Sequence, residues 1–258
     1  MPPSFFAILP TRIMRVHQVK GRLVNSYLIE QDGALAVVDV AWRGEKYVLG
    51  FLREVLGREP RDVRLVVCTH GDPDHSGGVR ALARICGARV GLPYATHSLH
   101  RHLLRDPLGL LIKPATALLE GLRPRAWAMY ASPARSAEAR VLPAWLPDRD
   151  LRAEKSRPAT ELRLKHGSPL PGFAGWQVLH TPGHSWDSVC YYHAPSGRLI
   201  SGDTLLGSGS RGVLVPPAVY ANPRQMARTL KLLKALRPTA VYPGHGSVFE
   251  GPGLLEHL

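Results

Sequence analysis

Residues 68–78 read Cys-Thr-His-Gly-Asp-Pro-Asp-His-Ser-Gly-Gly. His70, Asp72, Asp74 and His75 thus fall within six residues, between an apolar run and a pair of glycines. Imidazole nitrogen and carboxylate oxygen are the donors that suit zinc, iron and manganese. A surface turn has little use for such a density of titrating groups. Three further stretches each add one donor among small residues: Thr-Pro-Gly-His184-Ser, Ser-Gly-Asp203-Thr-Leu and Tyr-Pro-Gly-His245-Gly. Taken singly, His184 and His245 read as loop histidines and Asp203 as a helix cap. Taken together they complete two sets, His70, Asp72 and His184 for one ion and Asp74, His75 and His245 for a second, with Asp203 between them. Such a pair of divalent ions needs about three to five protein ligands each and a shared bridge.

Convergence of that kind requires the four stretches to share one edge of a scaffold. Each follows a strand pattern, and in open α/β sheets sites form at the carboxyl ends of strands. Residues 13–40 suggest strands, with Gln-Asp-Gly as a hairpin turn between Arg22–Glu30 and Ala34–Val40. Residues 46–57 have helical apolar spacing and end at Gly57. The run 64–70 is continuously apolar, as for a strand buried on both faces. Ser76 is placed to cap a helix that stops before Gly87, and 88–93 forms another strand. Strands follow at 176–180, 188–194 and 197–203, then an amphipathic helix over 224–238 and a last strand at 240–246. Between them, 95–160 is interrupted by Pro107, Pro114, Pro124, Pro133, Pro143, Pro147 and Pro158. The spacing predicts broken amphipathic helices there.

In chain order, THGDPDHSGG, TPGHS, SGDTL and PGHG resemble the metallo-β-lactamase-fold superfamily, and VNSYLIE and AVVDV resemble its opening strands. The likeness spans about residues 14 to 250. It implies an α/β fold, an αββα sandwich, forming a single domain over 1–258 with a helical, proline-rich insertion at about 95–160. It assigns His70, Asp72, Asp74, His75, His184, Asp203 and His245 to the ligand positions of two divalent metal ions, zinc with iron or manganese as alternatives. Two departures stand out. Asp72 occupies the place of the second histidine in the family's HxHxDH motif. Also, 109 positions separate His75 from His184, more than compact members need. Two divalent ions bring four positive charges. Asp72, Asp74, Asp203 and a bridging hydroxide cancel them, whereas histidine at 72 would leave one. The added carboxylate favours harder metals. The implied reaction is hydrolysis of an ester, thioester or lactone by that hydroxide, with Asp74 orienting it and Asp203 bridging, as in the glyoxalase II-like and lactonase-like branches.

Composition bounds the alternatives. The chain has 258 residues, 45% hydrophobic, so a large core can form. Its net charge of +13 favours an anionic or acyl-bearing small molecule, and leaves peripheral membrane contact and a homodimer open. Nucleic acid is not expected as a stable partner, because no stacking aromatics interleave the basic residues. A phosphodiesterase or nuclease of the same fold remains the rival enzyme, and a diiron redox protein with a separate electron donor the rival from another class. Cys68, Cys86 and Cys190 form no disulfide or zinc pattern, and no run approaches the roughly 20 apolar residues of a membrane span. The expected place is the cytoplasm. His97, His100 and His102 read as exposed, His180 and His193 as polar groups beside the core, and Asp39 as structural or as a residue supporting the ligands from behind. The insertion reads as a lid, apolar inside and cationic outside: residues 95–165 hold 13 Lys/Arg against 7 Asp/Glu.

Overall fold

Asp32 and Gly33 carry the chain through positive φ (51° and 79°), the conformation that joins two strands of right-handed twist. This turn pairs β2 (Asn25–Gln31) with β3 (Ala34–Val38), and β1 (Met14–Lys20) lies antiparallel on the other side of β2. The computed structural model describes residues 14–98, 100, 103–104, 106–130 and 160–258. Beyond β3 the sheet becomes parallel. Helix α1 (Glu45–Glu54) leads to β4 (Val63–Val67), and α2 (Pro73–Ser76) with α3 (Val79–Cys86) leads to β5 (Arg89–Pro93). The insertion contributes α4 (Gly109–Gly121) and α5 (Pro124–Tyr130) before β6 (Glu161–Leu164), which closes the six-stranded order β1-β2-β3-β4-β5-β6.

The second sheet is built from β7 (Trp176–His180), β8 (Val189–His193) and β9 (Arg198–Gly202). A ribbon of β10 (Leu206–Ser208) and β11 (Val213–Val215) follows, then α6 (Pro223–Leu236), β12 (Ala240–Pro243) and β13 (Phe249–Glu250). Its order is β13-β12-β9-β8-β7, with β12 parallel to β9.

Alternation along each strand sends its side chains to two different cores. Leu28, Val37, Val66 and Val90 face α1 and α3, where they meet Val48, Leu52 and Leu82. Tyr27, Val38 and Val67 face the other way, against Trp176, Val178, Tyr191 and Ile200 of the second sheet. Cys190, Leu199 and Val241 leave that sheet's far side to pack with Leu233 of α6. Three apolar layers therefore separate four structural ones, which is the αββα sandwich. All three cysteines are buried and free, as their spacing suggests.

Two expectations are corrected. Ser76 does not cap α3: its hydroxyl donates back to Gly71 O and Asp72 O, and Gly78 holds the cap position. Ser76 instead closes the tight turn that carries the ligand-type side chains. Within the insertion α4 is also inverted, while residues 131–159 lie outside the described ones. On α4 the leucines face outward and the polar side chains Lys113, Thr116 and Glu120 face the body. Polar partners at the site draw them inward more strongly than burying the leucines would.

The two sheets are tied at the edge where the donor-bearing loops emerge. Buried Asn25 donates through Nδ2 to Pro243 O (2.9 Å) and Gly246 O (3.0 Å), while Tyr27 donates to Pro243 O at 2.7 Å. Asn25→Ala would take this donor from Gly246 O and leave Pro243 O with Tyr27 alone. It should lower unfolding free energy by about 1–3 kcal/mol, read as a lower denaturant midpoint at unchanged slope.

Candidate metal centre

Each predicted donor sits where a strand runs out. β4 ends at Val67, and the next residues bring His70 and Asp72 to the edge. Pro73 then starts α2, whose single turn swings Asp74 and His75 inward. His184 lies in the β7–β8 loop, Asp203 directly after β9, and His245 directly after β12. Close approach is what the flanking glycines permit. A Cβ on Gly244 would lie 2.5 Å from Asp203 Oδ1 and 2.6 Å from His75 Cε1. Gly202, at φ 51°, would push a side chain into Thr69.

All seven donors meet at one place. His70, Asp72 and His184 offer atoms within 4.8 Å of one another, as do Asp74, His75 and His245, and also His70, His75 and Asp203. Asp72 Oδ2 stands 3.3 Å from both His70 Nε2 and His184 Nε2. Asp74 Oδ2 is 3.4 Å from His245 Nε2 and 3.7 Å from His75 Nε2. Asp203 reaches both sets, with 3.3 Å contacts to His75 and His245 and 3.9 Å to His184.

The orientation of the imidazoles follows from what lies behind them. His184 Nδ1 is 2.8 Å from Val219 O and His245 Nδ1 is 2.7 Å from Leu23 O. A carbonyl only accepts, so both Nδ1 atoms carry hydrogen. His75 Nδ1 donates to Asp39 Oδ2 at 2.9 Å. Thr69 spends its own hydroxyl hydrogen on Asp39 (2.9 Å), so it accepts from His70 Nδ1 at 3.0 Å. In its neutral form each ring is thereby left with an Nε2 lone pair aimed inward, the tautomer a metal requires. His70 Nε2 and Asp203 Oδ1 are buried without a hydrogen-bond partner. Such orphans in a nest of lone pairs call for cations.

Electrostatics say the same. Burial would raise Asp203, but the charges and hydrogen bonds of His245 and His75 hold it well below the carboxylate range. Burial acts likewise on Asp74, and His75 with His245 brings it down to about 2. Burial would lower His75 and His245, yet Asp203 and its neighbours raise both. His184 is lowered, by burial above all.

Two residues that the sequence did not single out come from the insertion. Lys113 of α4 donates to both oxygens of Asp72, at 2.7 and 2.6 Å. Burial would raise Asp72, but its contacts with His184 and His70, and then the charge of Lys113, hold it well below the carboxylate range, so it stays ionised. Tyr130, at the end of α5, packs its ring edge-on to His245 with centroids 4.5 Å apart. Burial and the charge of Asp203 raise its phenol well above the usual value, so it stays protonated. Thr116 fixes α4 in place by exchanging hydrogen bonds with the backbone of Tyr220 at 3.1 and 3.2 Å. That segment also holds His184 through Val219. Asp39 is structural, as its position suggests, but it acts by orienting His75 and Thr69. His180 and His193 bond locally, to Trp186 O and Ser196 Oγ. His100 is exposed, and the side chains of His97 and His102 lie outside the described residues.

Comparisons with known proteins agree with this geometry. A 35% identical stretch of 88 residues is shared with the probable metallo-hydrolase YqjP of Bacillus subtilis, covering 32% of this chain and 28% of that one. A 71-residue stretch is 41% identical to the hydroxyacylglutathione hydrolase of Hydrogenovibrio crunogenus, 27% of this chain and 24% of the relative. The chain thus spans under a third of either relative's length. The crystal structure of a metallo-beta-lactamase family protein from Thermus thermophilus superposes with a TM-score of 0.59 at 26% identity, over 97% of this chain and 79% of that one. The family model described as the metallo-beta-lactamase superfamily matches residues 19–245, from within β1 to the last histidine of the centre, and the chain belongs to that superfamily.

Proposed function

We propose that this protein is a dinuclear metal-dependent hydrolase that cleaves an ester, thioester or lactone bond in a small acyl-bearing anion, working as one domain over residues 1–258. The observation that carries the reading is the set of four inward Nε2 lone pairs facing three ionised carboxylates. His70, Asp72 and His184 would hold one ion, Asp74, His75 and His245 the other, and Asp203 would span both. Zinc suits this set, and the extra carboxylate suits iron or manganese as well. Bound there, two divalent ions would supply Lewis acidity and a water acidic enough to attack a carbonyl near neutral pH.

The chain's own groups divide the remaining work. Asp74 is partly exposed at the centre and ionised, so it can orient the attacking water and accept its proton. Tyr130 keeps its proton and stands beside His245, where its hydroxyl can donate to the oxygen or sulfur that leaves. Lys113 adds a positive charge at the opposite side, beside Asp72. That pairing favours substrates bearing a carboxylate or phosphate, consistent with a relative named for an acyl group carried on glutathione. Helices α4 and α5 thus wall the centre with one cation and one neutral donor.

Metal analysis of protein purified without added metal should find about two ions per chain. The same protein should hydrolyse members of a thioester, ester and lactone panel while leaving phosphodiesters intact. Asp203→Ala should reduce the stoichiometry to about one and lower turnover by at least roughly 100-fold, the upper range for lost metal-site partners. Phosphodiester cleavage alone would replace this reading with that of a nuclease. Lys113→Met keeps the aliphatic stem but removes the cation that competes for Asp72. The first ion should then bind on the order of tenfold more tightly in a competition titration, because like charges close together repel. Unchanged affinity would show that Lys113 does not compete with metal for Asp72.

A further inference from the structure

Helix α4 wears its apolar residues on the outside. Leu108, at its amino-terminal cap, and Leu111, Leu118, Leu119 and Leu122 are 64%, 69%, 69%, 59% and 74% exposed. At 100° per residue they fall within an arc of roughly 100°, the width of stripe that a helix ordinarily turns towards a core. The opposite side is occupied: Lys113 grips Asp72, Thr116 is bonded to Tyr220, and Glu120 is buried. The helix cannot roll to bury its leucines without breaking those contacts. Trp127 of α5 extends the patch; it is 63% exposed, and its indole N–H is fixed on Gly121 O. Single exposed leucines need no explanation, but a contiguous stripe marks a surface made to be covered.

We propose that this face docks on an anionic lipid surface, with α4 lying in the interface. Charge selects that occupant. The chain as a whole carries +13. A second copy would bring the same positive field against it, whereas an anionic leaflet attracts a cationic protein. Side-chain chemistry agrees. Leucines with a flanking tryptophan are the composition of interfacial helices, while leucine is under-represented among the hot spots of protein–protein contacts. No helix among the described residues is long and apolar enough to cross a membrane, so the helix would lie on the surface rather than span it. Because the same helix delivers Lys113 to Asp72, docking would hold the metal centre beside the lipid.

The test is sedimentation of the full chain with vesicles of mixed phosphatidylglycerol and phosphatidylcholine, or of phosphatidylcholine alone, at about 0.1 M salt. The wild type should pellet with the anionic vesicles and stay in solution with the neutral ones. Leu111→Glu/Leu118→Glu should weaken that binding at least tenfold. It should leave the melting temperature, metal content and turnover of a water-soluble substrate unchanged, since neither side chain touches the centre. Three results would overturn the proposal: no binding to anionic vesicles, equal binding by the double variant, or a wild-type dimer in light scattering that the double variant converts to monomer. Lipid binding is read without any substrate, so its failure leaves the hydrolase reading standing, and the reverse holds too.

Discussion

Four imidazoles turned the same way are the constraint on which the rest depends. Each Nδ1 is bound from behind by Thr69, Asp39, Val219 O or Leu23 O, and each Nε2 therefore faces the centre, a lone pair whenever the ring is neutral. Three carboxylates face the same point. Such a set would be costly to bury unless the fold could hold it rigidly, and the sandwich does so by drawing on both sheets. His70, Asp72, Asp74 and His75 follow β4 of the first sheet, and His184, Asp203 and His245 follow strands of the second. Asn25 and Tyr27 bind the first sheet to the loop that bears His245, so the backing groups belong to the core as much as to the site.

Asp72 is where this chain departs from its family's motif, and Lys113 is the physical counterpart. A third carboxylate removes the positive charge that a centre with histidine at that position would keep. An ammonium 2.6–2.7 Å from both of its oxygens restores it from outside the ligand set. Charge is thereby moved from the centre to the wall. The arrangement also explains why the insertion is held so firmly. A helix that balances a ligand must keep its register, and Thr116 with the Tyr220 backbone enforces it.

The seven donors and the strand ends were legible in the sequence because their signals are local. A ligand-type side chain sits a few residues past an apolar run, beside a glycine, and that coincidence recurs four times. The sandwich was legible for the same reason, from strand patterns and the turn at Asp32-Gly33. Lys113 and Tyr130 carried no such mark. Lys113 lies 41 residues from Asp72, and a lysine in a leucine-rich helix reads as its solvent face. The inversion of α4 escaped for a related reason. Periodicity identifies two faces but not which one has partners waiting for it, and three polar contacts outvoted the leucines. Ser76 misled because a serine before an apolar run has the look of a cap, while here its hydroxyl was needed one turn back.

Protons and metals compete for the same lone pairs, and the competition is uneven across the centre. Burial would lower the pKa of His75 and His245, yet the carboxylates around Asp203 raise it, so their subsite attracts protons as well as cations. His184, beside a carboxylate already engaged by Lys113, is lowered and gives up its proton more readily. A divalent ion at His70, Asp72 and His184 would therefore have to displace an ammonium, whereas one at Asp74, His75 and His245 would have to displace protons. Two donor groups of similar composition thus differ in what each would have to release. Burial sets His184 apart first, and the charge of Lys113 on α4 adds to it.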